Sequence, residues 1–155
     1  MATLTVTHTE SLTLNGSEQG STNSLSIASI NDVYKRIVTC PTGVDTTVAN
    51  FQATEDASDG AIALADAKYI RITNLDGSNP VNLSLQISND EDGAADFSST
   101  ILLEAGRSFV MGTPHDGIQV SDAGATIITT LVDLESIIID PSSNAVKVEV
   151  FIASA

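Results

Sequence analysis

The sequence contains no tryptophan, a single cysteine and only six Lys and Arg residues among 155. Each scarcity closes off a class of chemistry. Cys40 alone forms neither an intrachain disulfide nor a CxxC metal knuckle. Beside Pro41, at the end of the apolar run DVYKRIVTC, it reads as a small buried hydrophobe. The bases are scattered at Lys35, Arg36, Lys68, Arg71, Arg107 and Lys147, against 20 acids, for a formal net charge of −14. Nucleic-acid binding depends on Lys and Arg displacing counterions from phosphates. Neither nucleic acid nor an anionic membrane surface is therefore an expected partner. No segment approaches the roughly 18 to 20 apolar residues that cross a bilayer. The N-terminal MATLTVTHTESLTLN has no basic start and no continuous apolar stretch, so no secretory signal is expected.

Catalytic and cofactor signatures are also missing. The two histidines, His8 and His115, are too few for a zinc site built from His. No GxSxG elbow, P-loop or GxGxxG is present. The expectation is a protein that is not an enzyme and has no cofactor. His115-Asp116 in TPHDG invites a triad or metal reading, but it reads better as a turn pair followed by Gly117. Asn82-Leu83-Ser84 matches the glycosylation sequon, yet it falls in mid-strand and is discounted.

What is present is a strand-forming apolar content. The hydrophobic fraction is 42% with aromatics at 4%. The core must come from Val, Ile, Leu and Ala, and the β-branched members of that set favour pleated surfaces. A chain of this length fits one domain with a real core. Its excess acid favours solubility and would also suit docking on a basic surface.

Alternation of period two runs along most of the chain. Leu4 and Val6 alternate with threonines, and Leu12 and Leu14 lead to a turn at Asn15-Gly16. The polar stretch GSEQGSTNS, residues 16–24, reads as a mobile loop. Strands are expected over 32–40 and 48–53, while AIALADAK (61–68) fits two helical turns or a strand edge. YIRITNLDGSNPVNLSLQI (69–87) reads as a hairpin, with Val81, Leu83, Leu85 and Ile87 on one face. Further strands are expected over 101–104 and 107–111. TIITTLVDLESIII (126–139) reads as two short strands with a bend near Asp133, and PSSN (141–144) as a hairpin loop before a last strand, Val146–Ile152. Strands recurring about every ten residues predict an all-β chain with at most one short helix. The architecture would be an antiparallel β-sandwich of jelly-roll or Ig-like type. Residues 1–24 would form an N-terminal strand or arm with its polar loop, and 25–155 a single sandwich domain.

One loop invites a cation. NDEDGAAD (89–96) offers Asp90, Asp92 and Asp96 as oxygen ligands, with Gly93 permitting a sharp turn. Against the EF-hand template, the first ligand position falls on Ser88 and the bidentate Glu on Ser99, so a solvated acidic loop is the plainer reading.

The segments YIRITNLDGSNPVNLSLQI, LLEAGRSFVMG and AVKVEVFIASA carry a resemblance. Together they are similar to small β-sandwich virion structural proteins of tailed bacteriophages, which decorate or cement the capsid or serve in the tail. The resemblance covers roughly residues 69–112 and 134–155 and includes no catalytic motif. It implies a non-enzymatic protein made in the host cytoplasm and placed on the capsid surface of the virion. The implied partners are the major capsid protein or other virion subunits, with a homo-oligomer, often a trimer, as the working state. Leu4, Val6, Leu12 and Leu14 would then be interaction residues, on a strand that either pairs within its own sandwich or adds to a neighbour's sheet. A tail or fibre component, and a carbohydrate- or calcium-binding module, are the alternatives.

Overall fold

The computed structural model describes residues 1–88, 97–121, 124 and 127–155. The chain opens with a two-stranded ribbon, β1 (Ala2–Thr9) paired antiparallel to β4 (Thr22–Ile30). Between them, β2 (Thr13–Leu14) and β3 (Ser17–Glu18) form a short ladder around the Asn15-Gly16 turn. Both turn residues have positive φ, 52° and 79°, the conformation a two-residue hairpin requires and that Asn-Gly tolerates. Residues 16–24, expected as a loop, thus contain β3 and the start of β4. Ser and Thr lose nothing on an exposed strand, and here they bond across it: Thr7 to Ser24 and Thr22 to Thr9.

The body follows. It comprises β5 (Asp32–Cys40), β6 (Thr46–Gln52), β7 (Ala61–Ala63), β8 (Ala67–Asn74), β9 (Val81–Ile87), β10 (Phe97–Leu103), β11 (Ser108–Met111), β12 (Leu134–Asp140) and β13 (Val146–Ser154). One sheet has the order β11-β8-β13-β5, the other β10-β9-β12-β6-β7. All pairings are antiparallel except β6 with β7. Read from β5 and from β6, the two orders match strand for strand: β5-β13-β8-β11 and β6-β12-β9-β10. The matched strands, β5 with β6, β13 with β12, β8 with β9 and β11 with β10, are each consecutive in the chain and lie in opposite sheets, which makes this a jelly roll. The only helix among the described residues is a 3₁₀ turn, Glu55–Ala57, so none is long enough to cross a membrane.

Three expectations change and one open reading is settled. YIRITNLDGSNPVNLSLQI is not a hairpin: β8 and β9 lie in different sheets, and residues 75–80 arch between them. Residues 141–145 form a second arch, from β12 to β13. Alternation reports which face of a strand is buried, and both an arch and a hairpin satisfy it. The ambiguous 61–68 segment divides into β7, a turn and the start of β8. Of the two strands expected within 126–139, the described residues form only β12; ahead of it Val132 makes an isolated bridge to Ile118.

Between the sheets lies one continuous core. From β13, Val146, Val148, Val150 and Ile152 point inward, each 1% exposed or less. Ile70 and Ile72 of β8, Leu83 of β9, and Ile137 and Ile139 of β12 meet them. Cys40 is fully buried there, as expected, and burial pushes its thiol pKa up, away from the reactive thiolate.

The arch after β8 is closed by side chains. Asn74 is wholly buried, and its amide donates to the carbonyls of Asn79 (2.9 Å) and Leu103 (3.2 Å). Its own side-chain oxygen accepts from the Asp76 backbone N–H at 2.9 Å. Asp76 in turn accepts from the N–H groups of Asn79 and Ser78 and from the Asn79 amide, which hold its carboxyl below the usual range.

Candidate interaction surface

The ribbon packs against the body near its base. There Leu4, Val6 and Ile27 pack against Ile30, Tyr69 and Ala153, beside Phe151. Tyr69, Ala153 and Phe151 stand on the outer face of the four-stranded sheet, because their neighbours Ile70, Ile152 and Val150 face the core. A bulge lets the ribbon bend onto this face: Ala28 and Ser29 of β4 lie opposite the single Thr3 of β1, and Ser29 takes φ 64°. Beyond Val6 the ribbon leaves the body as an arm. Between arm and sheet runs a cleft of about 340 Å³, lined by Val6, Leu25, Tyr69, Val110 and Met111 with His8 at its rim.

The four residues expected to mediate interaction therefore separate into two pairs. Leu4 and Val6 are half-buried under their own ribbon. Leu12 and Leu14, near the tip, are 56% and 57% exposed. The first strand pairs with neither body sheet; its partner is β4. The tip is nevertheless ordered by one carboxylate. Glu18 Oε1 accepts from the N–H groups of Gly20 (2.7 Å) and Leu12 (3.0 Å), which lowers its pKa, the Gly20 bond contributing most. Gly20 is required where it stands, since a Cβ there would overlap the Glu10 carbonyl.

On the rest of the outer face, β5 contributes Val33, Lys35 and Ile37 and β13 contributes Lys147, Glu149 and Phe151, by the register of Ala153 with Val33 and Phe151 with Lys35. Val33 and Ile37 are 47% and 62% exposed. Glu149 is the electrostatic centre. Arg71 donates to it at 2.5 Å and Lys35 lies 3.7 Å away, so the Arg71 bond first, and the charge of both bases after it, hold its pKa down. A carboxylate with a depressed folded pKa stabilises the fold above its unfolded pKa of about 4.3, and that stabilisation is lost as pH falls through the folded value. Glu149→Gln is accordingly expected to flatten the fall of melting temperature between about pH 5 and pH 3. A profile as steep as that of the unaltered chain would place the acid-labile bonds elsewhere.

The structure also brings together a group that sequence alone left apart. His115 Nδ1 lies 2.9 Å from Asp133 Oδ1, and its Nε2 lies 3.4 Å from Asp116 Oδ2. The ligand atoms of the three residues lie within 4.8 Å of one another, a spacing a metal ion could bridge. Here, however, each ring nitrogen faces a different carboxylate, and Asp133 Oδ1 also accepts the Asp116 backbone N–H at 2.8 Å. Backbone bonds from Gly117 to Val132 and from Leu134 to Pro114 run alongside. The arrangement clasps the TPHDG turn to the entry of β12, which accords with the turn reading. Asp133 was identifiable only as a bend. The loop with Asp90, Asp92 and Asp96 lies outside the described residues.

Fold and surface together define a jelly-roll β-sandwich with an N-terminal ribbon arm. No protein-family model matches the chain, and no curated protein matches it. A solved structure described as "Bacillus endospore appendages form a novel family of disulfide-linked pili" is similar at 14% identity, covering 84% of this chain and 94% of that one, with a TM-score of 0.40.

Proposed function

We propose that this chain is a non-enzymatic structural protein of a bacteriophage virion, a decoration or cement subunit that stabilises the head by bridging neighbouring subunits at the capsid surface. The observation that carries the reading is the arm, an ordered ribbon displaying Leu12, Leu14 and Leu25 at more than half exposure. Isolated two-stranded hairpins are marginal in water, and exposed leucines on one are costly to keep without a partner. A bridging subunit gives both features a use, with the major capsid protein or other virion subunits as partners. Jelly rolls serve in viral capsid and lectin domains alike, so the fold is compatible with this reading by analogy only.

The test is co-sedimentation of the purified protein with heads of the phage that encodes it, followed by labelling of intact particles. Binding at fixed lattice points on the head is expected. Label confined to the tail would move the role to a tail or fibre component. Absence from particles, with no binding to heads at high concentration, would overturn the virion reading.

A further inference from the structure

Five of the six bases lie in strands of one sheet, and the sixth directly precedes one. Lys35 and Arg36 are in β5, Lys68 and Arg71 in β8, Lys147 in β13, and Arg107 immediately precedes β11. These are the four strands of the four-stranded sheet. The strands of that sheet carry only two acids, Asp32 and Glu149. By the strand register, Lys35, Arg71 and Lys147 share the outer face of this sheet with one acid, Glu149, and that face also exposes Val33 and Ile37. The arm is its complement: it has no Lys or Arg, carries Glu10 and Glu18 near its tip and exposes Leu12 and Leu14.

From these complementary surfaces we infer that the arm of one copy docks on the outer face of the four-stranded sheet of a second copy. Leu12 and Leu14 cover Val33 and Ile37, and the acidic tip lies toward Lys35 and Lys147. The inference rests on the structural-subunit reading above and names the partner of its arm. Lengths agree: from Thr7 to the tip the arm extends roughly 25 Å, close to the roughly 30 Å of nine-residue β5. The arm already seats its apolar side on this face within its own chain, at Tyr69 and Ala153. A symmetric contact between two β5 edges is disfavoured, because Lys35 and Arg36 sit mid-strand and would bring like charges together across it. Arm-to-sheet contact is head-to-tail instead, so it builds rings or chains.

The experiment uses two full-length variants, one with Leu12→Ser and Leu14→Ser, the other with Ile37→Glu. All three positions are exposed, so both variants should match the parent in circular dichroism and melting temperature. In sedimentation at low ionic strength the parent chain should form oligomers. Each variant should raise the dissociation constant roughly a hundredfold and sediment as a monomer. Mixed, they should form a one-to-one dimer, since one keeps an intact sheet and the other an intact arm. The association should weaken as the screening length falls from about 30 Å in 0.01 M salt to about 3 Å in 1 M. A monomeric parent, variants that associate like the parent, or a mixture that stays monomeric would each overturn the inference. Head binding is measured separately, so binding without complementation removes this inference alone. Complementation without head binding removes the virion role and leaves the arm contact.

Discussion

Asn74→Ala is expected to destabilise the protein by about 3 kcal/mol, which for a domain of this size lowers the melting temperature by roughly 6 to 12 °C. The side chain is completely buried at the end of β8, where the chain leaves one sheet for the other. Its three hydrogen bonds join three places: the far side of the arch at Asn79, the end of β10 at Leu103, and the arch itself at Asp76. Alanine removes the bonds to two carbonyls and one N–H, each worth about 1 kcal/mol, the Leu103 carbonyl being the one that is buried. Asn144→Ala is the matched control. It removes an exposed bond to Asn79 at 3.0 Å and should change stability by no more than about 0.5 kcal/mol. Thermal unfolding of the two variants side by side decides the matter. If Asn74→Ala costs under about 1 kcal/mol, the arch is held by its flanking strands, and the buried amide is dispensable.

The arch also shows which part of the fold the sequence carried and which it did not. Val81 through Ile87 and Val146 through Ile152 alternate so regularly that their buried faces could be assigned residue by residue, and the burial agrees. Alternation acts along one strand. It says nothing about which sheet the strand joins, so the turn LDGSNP was read as a hairpin when it is a crossing. The deciding residue, Asn74, is ordinary in sequence and becomes informative only when its amide is seen inside the core. β4 was passed over for a related reason. Its one apolar row, Leu25 and Ile27, is diluted by Ser and Thr that favour loops and exposed strands alike.

The interaction surface was half legible. Leu12 and Leu14 were identifiable as strand residues ahead of an Asn-Gly turn, and the structure leaves them exposed at the end of an arm. Leu4 and Val6 looked equivalent to them by pattern, but they anchor the ribbon to its own body. The basic face was invisible. Charges at positions 35, 71 and 147 converge on the outer face only through the interleaved order β11-β8-β13-β5, which no local signal specifies. The His115–Asp133 clasp is a long-range pairing of the same kind.

Ile72→Ala is expected to cost about 3 to 4 kcal/mol, the largest single effect predicted for this chain. Ile72 is fully buried at the middle of β8, with Phe109 of β11 and Val150 of β13 as its register neighbours. Truncation removes three carbons from a core that has few large side chains with which to refill the space. Phe51 is its only buried phenylalanine, and no tryptophan exists to swing inward. Strands on both sides are hydrogen-bonded to β8 and restrict collapse, so the cavity term adds to the lost transfer energy. Ile72→Val, which removes one methyl, should cost only about 0.5 to 1.5 kcal/mol. Chemical denaturation of the pair is the measurement, with the slope against denaturant expected to stay constant because the exposed surface on unfolding is unchanged. Equal costs for Val and Ala would mean that the body relaxes into the space. Because the ribbon's anchor lies across the same strand at Tyr69, that relaxation would loosen the arm too. If the core is as rigid as its packing indicates, Ile72→Val should associate like the parent while Ile72→Ala unfolds at lower denaturant. The stability of the body and the docking of the arm would then be separable properties of one sheet, the core set by its inner face and the assembly by its outer one.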